Sequence, residues 1–188
     1  NERGQLGNGS LNASNRPQAT SLPGPAVDLA VGGQHGCAVL SDASVWCWGG
    51  DESGQLGDET TYGLCTGFAS TECSTQPVPV SNLAGAARVV TGELHSCAAL
   101  GDGSARCWGD NLLGQLGDGS TTRSPTPVAV LGLTAVASLS ALGTYQGAHT
   151  CALLTGGSVW CWGGNAYGQL GDGSTLESSL PLRVEGWP

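Results

Sequence analysis

The sequence predicts an all-β chain made of β-propeller blades, each a four-stranded antiparallel sheet. Three observations lead there. Glycine supplies 32 of the 188 residues without a collagen period, and no long run carries the apolar spacing of a helix. A signature returns every 50 to 60 residues or so. Within that signature, cysteines recur in pairs at one spacing.

The repeat is read directly. "GQLG" stands at 4–7, 54–57, 114–117 and 168–171. Between the copies lie "HGCAVLSDASVWCWGG" (35–50), "HSCAALGDGSARCWGD" (95–110) and "HTCALLTGGSVWCWGG" (149–164). Repeat signatures therefore cover 35–57, 95–117 and 149–171, with a partial unit at 1–10. Residues 1–188 form one propeller region of about three full blades and a partial one.

Each unit justifies its strands in order. First comes a proline-bounded strand, in "PAVDLAVGG", "QPVPVSNLAGAARVVTGE" and "TPVAVLGLTAVASL". A His-x-Cys-Ala strand follows, then a turn of Asp, Gly and Ser, then a strand ending Cys-Trp-Gly. The glycine-rich "GQLG" connection closes the unit. Every strand is short and every link has turn chemistry.

Hairpin geometry tests the cysteines. Cys37 and Cys47 are symmetric about Asp42, Cys97 and Cys107 about Asp102, and Cys151 and Cys161 about Gly156. An odd loop centred there sets each pair directly opposite on adjacent strands, where a bridge can form. Cys65 and Cys73 form a fourth pair inside an insertion at 58–77. Eight cysteines in such pairs point to disulfides and an oxidising compartment. His35 with Cys37 and Cys47 approaches a zinc set but lacks a fourth ligand, so disulfides are preferred.

Strand alternation turns Trp46 and Trp48 away from Cys47, and Trp160 and Trp162 away from Cys161. Arg106 replaces the first tryptophan in the middle unit, where Trp108 keeps the second. The constant tryptophan is expected between blades, the variable one partly exposed.

Charge and motifs exclude several functions. A net charge of −9, with arginine as the only strong base, disfavours nucleic acid and anionic membranes. No apolar run approaches a membrane span, and no signal peptide is visible, so the chain reads as mature, processed or trimmed. "GDGST" offers one carboxylate, too few for calcium and ordinary for an Asx turn. No nucleophile elbow, P-loop or dinucleotide fingerprint is present, so an enzyme and a cofactor are not expected.

The chain resembles the regulator of chromosome condensation repeat family. The residues that carry the likeness are "GGQHGCAVL", "GELHSCAAL", "GAHTCALL", the "CWG" strand ends and the four "GQLG" copies. The resemblance implies a seven-bladed β-propeller whose family-position histidines, His35, His95 and His149, bond the backbone of a neighbouring strand, and the paired cysteines look like the secreted bacterial form of the repeat. Seven blades of this period need about twice the residues present. A piece of a longer protein is the favoured expectation, ahead of self-assembly that closes blades between chains or an open array. Nuclear members of the family are exchange factors on a small GTPase, which needs an intracellular protein; the cysteines argue against that role. A photoreceptor branch uses stacked Trp and Arg, and its Gly-Trp-Arg-His run is missing here.

A non-enzymatic extracellular binding or adhesion module is the expected function, with a protein or glycan as partner. A secreted β-lactamase inhibitor family uses a similar propeller to bind protein. The alternative is a structural repeat segment of a secreted surface protein or filament. Candidate recognition residues are Tyr62 and Phe68 in the stapled insertion, Tyr145 in a lengthened loop, and Trp46, Trp160 and Arg106. Asn8 and Asn12 begin glycosylation sequons.

Overall fold

The computed structural model describes residues 1–60, 62–65, 71–143 and 147–186. Among these residues there is no helix, and the strands form three antiparallel sheets. The first runs β1 (Ala26–Val31), β2 (His35–Leu40), β3 (Val45–Gly50), β5 (Thr71–Pro79), with the two-residue β4 (Leu64–Cys65) on its outer edge. The second is β6 (Ala86–Thr91), β7 (His95–Leu100), β8 (Ala105–Gly109) and β9 (Ser124–Ala129). The third is β10 (Val136–Leu142), β11 (His149–Leu154), β12 (Val159–Gly163) and β13 (Ser178–Arg183). Each is an up-and-down meander, the form of a propeller blade. The three blades and the partial unit at the start match the expected architecture.

The runs 76–93 and 126–139 differ from the single first strand expected for each unit. Each contains two strands in different blades: β5 then β6, and β9 then β10. The chain breaks at Asn82 and Gly85, and at Gly132 and Ala135, which all have positive φ. Proline lacks an amide donor, so Pro79 and Pro127 suit the outer edge strand that ends a blade, not the strand that begins the next.

The apolar core lies between blades. Val39, Val45, Leu56 and the Cys37–Cys47 pair of the first blade pack against Val89, Ala98 and Trp108 of the second. The next joint repeats this with Ala99, Ala105, Leu116 and Cys97–Cys107 against Leu139, Ala152 and Trp162. Backbone bonds stitch the joints, from Ala86 N to Ala43 O and from Val136 N to Gly103 O. Two blade faces are only partly covered among the described residues, the first by the partial unit that reaches Trp48. Leu29 is 62 % exposed, whereas its counterparts Val89 and Leu139 are buried. On the other side Leu153 is 41 % exposed, against 0 % for Val39.

The glycine of Trp-Gly follows from the blade's bulge. Gly109 has φ 103°, and a Cβ there would lie 2.5 Å from the Leu94 carbonyl oxygen. Gly49 and Gly163 share the conformation. An L side chain fits neither the dihedral nor the space.

Candidate recognition surfaces

Cys37 faces Cys47, Cys97 faces Cys107 and Cys151 faces Cys161 in register. Their Cα atoms are 4.1, 4.0 and 4.1 Å apart, the narrow spacing of a non-hydrogen-bonded antiparallel pair. All three pairs are joined as disulfides, as is Cys65–Cys73 across the insertion.

The constant tryptophans build the joints. The indole N–H groups of Trp48, Trp108 and Trp162 donate to the backbone oxygens of Gln5, Gln55 and Gln115, at 2.8, 2.9 and 2.9 Å. These glutamines belong to the "GQLG" segment of the preceding unit. At the two inner joints the same oxygen accepts a hydroxyl, from Ser96 at 3.0 Å and from Thr150 at 2.9 Å.

Those hydroxyls fix the histidine tautomers. Ser96 Oγ lies 2.7 Å from His35 Nε2, and Thr150 Oγ1 lies 3.0 Å from His95 Nε2. Each hydroxyl already donates to a glutamine carbonyl, so it must accept from the ring. Both histidines therefore carry their proton on Nε2. Among the described residues the Nδ1 atoms are buried without a hydrogen bond, that of His35 near the Glu93 backbone. Burial, reinforced by the neighbouring histidine, pushes His35 down to about 3 and His95 down to about 4. The expected backbone partners are thus replaced by side-chain hydroxyls of the next blade. His149 bonds backbone, at Gly147 O, 2.7 Å away.

Asparagines hold the "GQLG" connections. Asn111 Oδ1 accepts from Leu116 N, and its amide donates to Asp118 Oδ1, to the Ser120 backbone oxygen and hydroxyl, and to Thr122 O. Asn165 repeats the set around Asp172 and Ser174. Asn1 does the same with Ser10 O and Asn12 O. The first blade has Asp51 at this position, with Leu56 N donating to its Oδ1 at 2.9 Å.

The recognition candidates divide between opposite ends of the blades. Trp46, Arg106 and Trp160 lie near the β2–β3, β7–β8 and β11–β12 turns. Trp46 and Trp160 are half-buried, and their indoles donate to Ser44 Oγ and Ser158 Oγ. Tyr62 belongs to the other end, with Asp51 and the stapled insertion. Tyr62 is half-buried against the first core, and its hydroxyl donates to Asp58 Oδ2. It therefore braces Asp58 instead of presenting a free ring. Phe68 and Tyr145 lie outside the described residues.

Exposed apolar side chains that the sequence reading passed over share the Tyr62 end. Leu112 and Tyr167 occupy the variable positions between Asn and "GQLG" and are 64 and 78 % exposed. Leu64 in the insertion is 59 % exposed. Nearer the axis, Val31 and Leu142 flank a cleft of about 630 Å³ with Glu93 beside them. The one available signal was leucine and tyrosine where the first two units carry Glu2, Arg3 and Glu52. No group of three or more His, Cys, Asp or Glu among the described residues is placed to hold a metal.

The regulator of chromosome condensation (RCC1) repeat matches residues 1–39 and 42–99, just over half of the chain. The chain belongs to the RCC1 repeat family. A second RCC1 repeat profile matches 26–55, 87–115 and 147–169. The chain is 30 % identical over 192 residues to human E3 ubiquitin-protein ligase HERC2, covering 98 % of this chain and 4 % of that protein. It is 30 % identical over 172 residues to the Arabidopsis thaliana ultraviolet-B receptor UVR8, covering 89 % and 36 %. Human WBSCR16 superposes with a TM-score of 0.77 at 25 % identity, over 96 % of this chain and 46 % of that one. Yeast RCC1 (Prp20), solved bound to Kap60, superposes with a TM-score of 0.75 at 20 % identity, over 97 % and 42 %. This RCC1 chain spans less than half the length of these proteins.

Proposed function

We propose that the chain is part of a non-enzymatic, secreted RCC1 propeller that binds a protein through the end carrying the "GQLG" connections and the stapled insertion. RCC1-like propellers commonly mediate protein binding. The observation that carries the reading is the exposure of Leu64, Leu112 and Tyr167 on that end, with Val31 and Leu142 on its cleft. Apolar and aromatic groups projecting from rigid loops are the anchors a protein partner uses. The four disulfides support an oxidising, extracellular setting.

Cross-linking in the extracellular fraction of the source cells, followed by purification of the captured protein, supplies the partner for affinity measurement. Replacing Leu112 and Tyr167 by serine should then weaken binding at least tenfold, while Trp46→Ala should change it little. Glycan binding that depends on Trp46 or Trp160 would refute the protein reading.

A structural-segment reading is favoured by one observation, the two open blade faces at Leu29 and Leu153. Each matches half of a joint already formed twice within the chain. Further blades of the same repeat, in a longer polypeptide or a second copy, are the fitting cover. Sedimentation at increasing concentration tests the second-copy form; a strict monomer excludes it.

A further inference from the structure

Three of the four units pin their "GQLG" connection with an asparagine amide, and Asp51 is the exception. Asp51 is 5 % exposed. One of its oxygens accepts from Leu56 N, as the asparagines do. The other takes the place of the amide nitrogen but receives no hydrogen bond among the described residues. The amides of Asn111 and Asn165 donate to an aspartate seven residues on. The first blade keeps that aspartate, Asp58. The Asp58 charge therefore acts on the Asp51 carboxyl, where the other blades pair an amide with a carboxylate.

We propose that Asp51 is a proton-operated latch on the turn that begins at Asp58. Protonated, its carboxyl donates into the turn as the asparagine amides do. Ionised, it has no proton to donate and repels Asp58, and Tyr62, bonded to Asp58, loosens with it. The surroundings give the charge little relief. Glu72 joins Asp58 in acting on Asp51, and Glu52 and Glu59 line the same cleft of about 310 Å³. Arg123 is the cation of that cleft and donates to the Glu52 backbone, while Arg3 pairs with the Glu52 carboxylate at 3.0 Å. Burial first, then Asp58 and Glu72, push the Asp51 carboxyl up to about 7. The latch holds in mild acid and slackens as pH rises toward neutrality, because the closed state binds the proton that the open state has lost.

Carboxyl-carbon NMR of the 188-residue chain, with amide exchange at Leu56 and Thr60 corrected for its intrinsic pH dependence, tests this. Asp51 should titrate near neutrality. Local opening should increase on the order of fiftyfold between pH 5 and pH 7.5, and Asp51→Asn should abolish that dependence. Asp58→Asn should move the Asp51 midpoint down, which keeps the idea testable if Asp51→Asn folds poorly. Titration of Asp51 below pH 5, or equal pH dependence in wild type and Asp51→Asn, would overturn the latch. So would millimolar calcium that displaces the midpoint, which would mark a cation site instead. These readings do not involve binding, so the latch and the proposed function fail separately.

Discussion

Ser96 and Trp108 donate to one oxygen, the Gln55 carbonyl, at 3.0 and 2.9 Å. The convergence ties two consecutive blades at one atom and dictates the tautomer of His35 behind it. Thr150 and Trp162 repeat it on Gln115.

Thr150→Val tests the joint with little change of shape. It leaves the buried His95 Nε2–H without an acceptor and removes one donor from Gln115. A loss of about 1–3 kcal/mol in urea unfolding is expected. Ser96→Ala should behave alike at the first joint. A double-mutant cycle with Trp108→Phe should show coupling, because both donors share an acceptor.

The histidines set an acid limit on stability. Burial holds His35 at about 3 and His95 at about 4 in the folded state, against 6.5 when unfolded. The unfolded chain thus binds more protons below pH 6.5. Stability should fall as pH drops from about 6.5 toward 4, by up to about 1.4 kcal/mol per pH unit for each histidine. Asp51 acts in the opposite direction over the same range, so unfolding is best followed in the Asp51→Asn background. His95→Gln should flatten the slope.

Asn111→Asp copies the Asp51 arrangement into the second blade. The new carboxylate faces Asp118 and loses four donor contacts. A loss of about 2–4 kcal/mol at pH 7.5 is expected, with partial recovery at pH 5, by urea unfolding at both pH values.

The disulfides should differ in worth. Replacing Cys97 and Cys107 by alanine removes a crosslink and opens space in a fully buried joint. The cost should be about 3 kcal/mol or more. Replacing Cys65 and Cys73 should cost less, because Cys65 lies in the outermost strand of one blade, away from the joints. Labelling with and without reductant should count eight protected thiols.

The blades were legible because three constraints coincide in the sequence: period, turn chemistry and cysteine symmetry. The symmetry about Asp42, Asp102 and Gly156 was enough to set opposite partners, and alternation then placed Trp48, Trp108 and Trp162 at the joints. The site was less legible. Pro-rich runs hide the blade crossover, since a turn through Asn82 or Ala135 leaves the apolar pattern unbroken. The histidine partners are hydroxyls 55 and 61 residues away, a distance no local pattern reports. Trp46 and Tyr62 both read as recognition candidates, yet Tyr62 is half-covered by the first core and the two stand at opposite ends. Asp51 was visible as a residue, but only its comparison with Asn111 in space gives it a meaning.

The placement of apolar contacts between sheets also governs how the molecule comes apart. A blade here has no private core, so it cannot melt alone without exposing its neighbour. Energetically the chain behaves as a row of coupled units, with loss of order entering from an end blade and advancing one joint at a time. The middle blade, clasped on both sides, should be the last to exchange its amides. Any further unit seated on Leu29 or Leu153 would then stabilise residues far from the contact, by turning an end into an interior.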